Sequence, residues 1–146
     1  HFNPQPVVEP RDNTADIVRK RIRLSEPYTG LAADALLEQD IANTCTATIN
    51  ILPKNIRMSR AELAKNLKAF GKRWPERTYN VLGVARSGNV IEIQVFYQCF
   101  GRGKSTSGYS LFTLILDDEN KIRAMGEKTA KTAPPPFSPG MQKVHY

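Results

Sequence analysis

Between Ser59 and Pro75 the stretch SRAELAKNLKAFGKRWP specifies a helix together with both of its ends. Ser59-Arg60-Ala61-Glu62 is a capping box: the Ser59 hydroxyl can accept from the Glu62 amide while the Glu62 side chain reaches back. Leu63, Leu67, Phe70 and Trp74 follow at i, i+4, i+7 and i+11, an apolar stripe down one face. Gly71 weakens the last turn, and Pro75 disfavours helical geometry at Trp74. The helix therefore stops at the tryptophan.

Strand signals follow in series. Thr78 to Ala85 comes first, then a turn at Ser87-Gly88-Asn89, Val90 to Phe100, Tyr109 to Leu116, a turn at Asp117-Asp118-Glu119-Asn120, and Lys121 to Ala130. In Val90 to Phe100 the residues Ile91, Ile93, Val95, Tyr97 and Cys99 make one apolar face. Glu92, Gln94 and Gln98 point the other way, joined by Phe96 and Phe100. Such a half-polar face predicts a sheet covered by helix on one side and partly open on the other. Upstream, Thr44 to Leu52 alternates as a strand that Pro53 ends. Residues 30–43 place Ala33, Leu37 and Ile41 at helical spacing, with Leu36 beside them. Residues 1–29 hold three prolines in their first thirteen positions and then the run Arg19-Lys20-Arg21-Ile22-Arg23. They read as an extended basic arm. Residues 132–146, with Pro134-Pro135-Pro136, read as a proline-rich tail, which leaves 30–131 as the domain.

The stretch CFGRGKSTSGYS (99–110) contains Gly103-Lys104-Ser105-Thr106, an echo of a nucleotide-binding loop. A phosphate-binding loop needs G-x-x-x-x-G-K-[ST] between a strand and a helix. The opening glycine would fall at Gln98, and strand-like residues follow Thr106 where a helix N-terminus is required. The stretch is expected to be a flexible hairpin loop.

The chain has 146 residues and a net charge of +7, with 21 Lys+Arg against 14 Asp+Glu. A basic surface favours anionic partners, but the cations are scattered and lack the interleaved aromatics of a single-strand binding surface. Nucleic acid is not expected, and the charge reads as solvated surface. No apolar run reaches membrane-spanning length. Two cysteines, Cys45 and Cys99, lack metal-ligand spacing, and the only histidines are His1 and His145; no metal site and no cofactor are expected. A Cys45–Cys99 disulfide and a pair of buried free thiols are both open. The start at His1 fits a mature form or a fragment, and a periplasmic or secreted location is favoured over a cytoplasmic one.

Residues 58–83, MSRAELAKNLKAFGKRWPERTYNVLG, are similar to nuclear transport factor 2-like (SnoaL-like) domains, in particular to bacterial modules of unassigned activity. The sharpest motif is Arg73-Trp74-Pro75-Glu76-Arg77-Thr78-Tyr79, and the likeness covers about 44–130. The resemblance implies an α+β cone in which a curved antiparallel sheet packs on one main helix at about 59–74. Such domains include SnoaL-like cyclases and dehydratases, many binding and scaffolding modules, and periplasmic bridging subunits of type IV secretion systems. The long first helix that normally caps the cone has only a short counterpart between Gly30 and Asn43. The catalytic Asp/His pairs of the enzymatic branches have no counterpart either, so no catalytic residue is expected. The expectation is a non-catalytic binding or assembly module that takes a protein partner or a small hydrophobic ligand on its sheet face or cone mouth. The alternatives are a SnoaL-like enzyme using an acid or base such as Glu92, and a periplasmic assembly subunit.

Five residues are candidates for ligand contact. Trp74 plugs the open side of the core or stacks on a ligand. Arg77, with Arg73 nearby, binds an anion or pairs with Glu76. Tyr79 and Tyr97 pack in the core or line the cone. Glu92 supplies a polar group to a cavity or faces water. Gln94, Phe96 and Phe100 form a candidate interface, and the resemblance implies a homodimer through that open face.

Overall fold

The computed structural model describes residues 12–26, 31–51 and 54–145. Two helices, α1 (Thr14–Ser25) and α2 (Leu31–Asp40), precede the strands β1 (Ile41–Ile51) and β2 (Lys54–Ser59). Helix α3 (Arg60–Arg73) then leads into β3 (Glu76–Ser87), β4 (Val90–Gly101), β5 (Lys104–Leu116), β6 (Ile122–Ala130) and β7 (Gln142–Val144). All seven strands form one sheet, ordered β2-β1-β6-β5-β4-β3-β7. The sheet is mixed, since β1 runs parallel to β6 while every other pair is antiparallel. The expected curved sheet on a main helix is present, with this one parallel pair as a difference. A register shift between Val81 and Gly83 leaves Leu82 unpaired against β4, the kind of bulge that bends and twists a strand.

Helix α3 begins at the expected Ser59 cap, with Glu62 folded back onto the Ser59 hydroxyl rather than onto the Ser59 backbone N–H. The Ser59 hydroxyl accepts from the Glu62 amide at 3.3 Å and donates to the Glu62 carboxylate at 3.2 Å. Its C-terminal cap is Trp74, whose N–H reaches the Phe70 carbonyl at 2.9 Å. Leu63 is buried, with Leu67 packed partly against the core.

The basic segment read as an extended arm is instead, from residue 14, a helix in the core. Ile17, Val18, Ile22 and Leu24 are buried, and Asp12 accepts from the Thr14 amide at 2.9 Å just before the first turn. Arg21 interrupts this apolar face yet is itself buried. Its guanidinium lies 3.7 Å from the centroid of the Phe112 ring and donates to Ser25 Oγ at 2.8 Å. Lys20 pairs with Asp40 at 3.2 Å, joining α1 to α2. The helical cap expected to be short is therefore supplied in two pieces, α1 and α2. Residues 1–11 of the expected arm lie outside the described residues. The strand expected to end at Pro53 pairs with a further strand, β2, not anticipated from the sequence.

The tail is also part of the fold. From the end of β6 it crosses the outer face of the sheet, where Gln94 donates to the Pro135 carbonyl at 3.0 Å. Glu92 accepts from Ser138 N at 2.7 Å, Ser138 Oγ at 2.8 Å and Thr113 Oγ1 at 3.1 Å. The tail ends as β7, paired with β3 at Val84–Arg86. The core itself lies on the inner face, where Ile91, Ile93, Val95, Leu114, Leu116 and Ile122 meet Ile17, Val18, Leu37 and Ile41. None of the described helices is long and apolar enough to cross a membrane.

Candidate functional site

The inner face is filled at one end only. At the other end, where β4 finishes, β5 begins and α3 reaches its last turns, lies a cavity of about 590 Å³. That volume is in the range of small-molecule sites. Buried Leu24, Ala47, Leu63, Cys99 and Met125 belong to its interior, and Asn66, Ala69, Phe70, Arg73, Thr106 and Thr129 are exposed at its rim. The wall is mostly apolar, with Arg21, Glu127 and two tyrosines as its main polar groups.

Tyr79 and Tyr97 both line this cavity, with ring centroids 6.4 Å apart. They occupy directly opposed positions on β3 and β4, so they share one face. Burial first, and then the neighbouring Cys99 and Glu127, push both phenols above their ordinary value. Both phenols are thus neutral at physiological pH, and Tyr97 is the one left to donate into the cavity. The Tyr79 hydroxyl bonds the Cys99 sulfur, and burial also raises that thiol. A Cβ on Gly108 would fall 2.7 Å from the Tyr97 hydroxyl, so the glycine makes room for the phenol.

The other candidates lie elsewhere. Arg77 is buried just behind the cavity and organises its edge: Nε donates to the Ser25 carbonyl at 2.7 Å, and Nη1 donates to the Trp74 carbonyl. Its guanidinium lies 5.4 Å from the Phe70 ring centroid. Trp74 caps α3 and carries the Arg73 guanidinium 5.4 Å from its ring; neither Trp74 nor Arg77 is among the lining residues. Glu92 sits on the opposite face of the sheet beneath the tail, so it is not a cavity group. Gln94 lies under the tail as well. Phe96 packs on Tyr109 with ring centroids 5.2 Å apart and planes tilted at 51°, and Phe100 stays exposed. Of the two alternatives for the cysteines, the buried free thiols are the one present: Cys45 and Cys99 are unbonded to each other. Strands β6 and β5 stand between β1 and β4, and the two cysteines therefore belong to separate parts of the inner face.

Among the cavity residues not anticipated, three matter most: Glu127, Arg21 and Ser25. Glu127 lines the wall and accepts from Ser110 Oγ at 3.0 Å; the sequence Gly126-Glu127-Lys128-Thr129 has no alternation to show which side chain faces in. Arg21 and Ser25 come from α1, where the basic run concealed a helical stripe. The spacing Ile17, Arg21, Leu24 was the available signal.

No protein-family model and no curated protein sequence matches the chain. Solved structures do. A nuclear-transport-factor-2-like protein of unknown function from Exiguobacterium superposes with a TM-score of 0.66 at 12% identity, over 80% of this chain and 99% of that one. A proposed isomerase of the SnoaL-like family from Agrobacterium tumefaciens gives 0.65 at 11% identity, over 80% and 96%. A protein of ketosteroid-isomerase-like fold from Catenulispora acidiphila, solved in complex with trimethylamine, gives 0.65 at 14% identity, over 82% and 88%. The chain has the nuclear transport factor 2-like, or SnoaL-like, α+β cone fold.

Proposed function

We propose that this chain is a non-catalytic module that binds a small, largely apolar molecule inside the cone. The observation that carries the reading is the 590 Å³ cavity, walled mostly by apolar side chains and supplied with the neutral Tyr97 hydroxyl as a donor. Apolar walls provide the driving force, and a few fixed polar groups set orientation. Structural neighbours described as cyclases, isomerases or a trimethylamine complex support ligand binding as the use of such a cone. A protein partner on the outer face is the weaker reading, because the tail already covers Glu92 and Gln94.

Titration with N-phenyl-1-naphthylamine, an uncharged dye that brightens in apolar surroundings, tests the site. Ala69→Trp places a bulky ring at an exposed helix position on the rim and is expected to weaken binding at least tenfold. Dye binding that ignores this substitution would place the ligand elsewhere.

A second reading, a SnoaL-like enzyme, is favoured by one observation, the presence of Glu127 in the cavity wall. Its carboxylate would accept a proton from a bound substrate while Tyr97 donates to the developing oxyanion. Turnover of any candidate substrate that Glu127→Gln abolishes would establish this reading over the non-catalytic one.

A further inference from the structure

The cavity is apolar, yet its charged groups are unbalanced. Two arginines, Arg21 and Arg73, line it against one carboxylate, Glu127. The Ser110 hydroxyl already donates to Glu127. A third arginine, Arg77, stands immediately behind Phe70. Arg21 is occupied by Phe112 and Ser25, and Arg77 by two carbonyls. Arg73 differs. It is exposed at the rim, and no carboxylate among the described residues pairs with it. Its guanidinium lies 5.4 Å from the Trp74 ring centroid, and it makes no hydrogen bond among the described residues, which leaves its N–H fork available.

The surroundings of Arg73 strengthen the asymmetry. A Cβ on Gly101 would fall 2.3 Å from the Arg73 carbonyl oxygen and 3.0 Å from Pro75 Cδ. The end of β4 therefore packs directly on the end of α3. This brings the β4–β5 turn, with Arg102 and Lys104, beside the cavity mouth. Arg102 itself adopts φ 52°, an uncommon left-handed conformation for a side-chain-bearing residue. That geometry, followed by Gly103 at φ 73°, makes a tight two-residue hairpin turn. The lysine-bearing loop that resembled a phosphate cradle is thus a cationic turn at the entrance to an apolar chamber.

Resting on the reading of the cone as a small-molecule site, we infer that its ligand is an amphipathic anion. Its apolar body occupies the chamber between Leu63, Leu67, Phe70 and Met125, and its single acidic group, a carboxylate, sulfonate or phosphate, sits at the mouth on Arg73. A planar guanidinium holds such a group by paired, charge-assisted hydrogen bonds, and Arg102 and Lys104 add positive potential that draws the anion to the opening.

Two dyes of the same ring skeleton test this: 8-anilino-1-naphthalenesulfonate carries the anion, and N-phenyl-1-naphthylamine lacks it. Arg73→Gln is expected to weaken the sulfonate at least fivefold and flatten its salt dependence, leaving the neutral dye within twofold. Arg73→Lys should recover about half of the lost affinity, and Arg123→Gln, at the opposite end of β6, should change neither dye. Equal effects of Arg73→Gln on both dyes, or none on the sulfonate, would overturn the anion assignment while leaving the cone site intact. Binding of both dyes that Ala69→Trp leaves unaltered, or binding of neither, would overturn the cone site itself.

Discussion

The joint between the β4–β5 hairpin and the end of α3 is the point at which the cone closes, and Gly101→Ala tests it. The glycine has no positive φ, so an alanine there meets no backbone strain, only a lack of space. Its Cβ would lie 2.3 Å from the Arg73 carbonyl oxygen, about 1 Å inside ordinary contact. The nearest obstacle is backbone, so the helix end must move as a unit. Overpacking of this kind costs about 1–3 kcal/mol, and the loss of unfolded-state freedom returns about 0.5–1 kcal/mol. A net destabilisation of about 1 kcal/mol corresponds to a fall in Tm of roughly 4 °C for a chain of this size. Trp74 is the only tryptophan and caps the same helix, so its fluorescence in urea reports on the joint directly. Gly126→Ala is the control, because the nearest atoms to a Cβ there are Thr113 Cβ at 3.8 Å and the Thr48 carbonyl oxygen at 4.0 Å. It should be neutral or slightly stabilising. If Gly101→Ala is as stable as Gly126→Ala, the hairpin does not pack on the helix end and the mouth is not where it is described.

Two further outcomes follow from burial. Burial pushes the Cys45 thiol up from 9.0 to about 11, against a smaller opposing effect of Arg60. The stability this gives is full below pH 9 and is lost as pH rises towards 11. Urea midpoints taken at pH 8 and 11 should therefore fall more in the native chain than in Cys45→Ala, and equal falls would contradict the buried thiol. On the outer face, Ser138→Ala removes one of three hydrogen bonds to Glu92 and should cost about 1 kcal/mol. Truncation after Lys131 should uncover the face of Leu111 and promote self-association in sedimentation; a truncated chain that stays monomeric would show that the tail does not shield that face.

What was legible in the sequence was what is written locally. The Ser59–Glu62 box, the Leu63–Trp74 stripe and the following proline fix α3 within a single stretch, and the alternation of β4 places Tyr97 and Cys99 on the inner face. Helix α1 was hidden because Arg21 interrupts its apolar stripe, and a buried arginine is tolerated only once Phe112 and Ser25 are beside it. The tail was misread for the same reason at longer range. Its proline run has no core pattern of its own, and the Glu92–Ser138 contact spans 46 residues. Glu92 looked like a cavity acid because alternation gives two faces and not which of them is hollow. Glu127, the acid that does line the chamber, lies in a strand segment without alternation.

Whether a small molecule enters the cone is decided most directly by nuclear Overhauser contacts to bound N-phenyl-1-naphthylamine. Cross-peaks from its rings to the methyl groups of Leu63, Leu67 and Met125 are the expected result, since these line the chamber. Cross-peaks confined to Phe96, Phe100 and Tyr109 would put the ligand on the outside of the sheet and contradict the cone as the binding site.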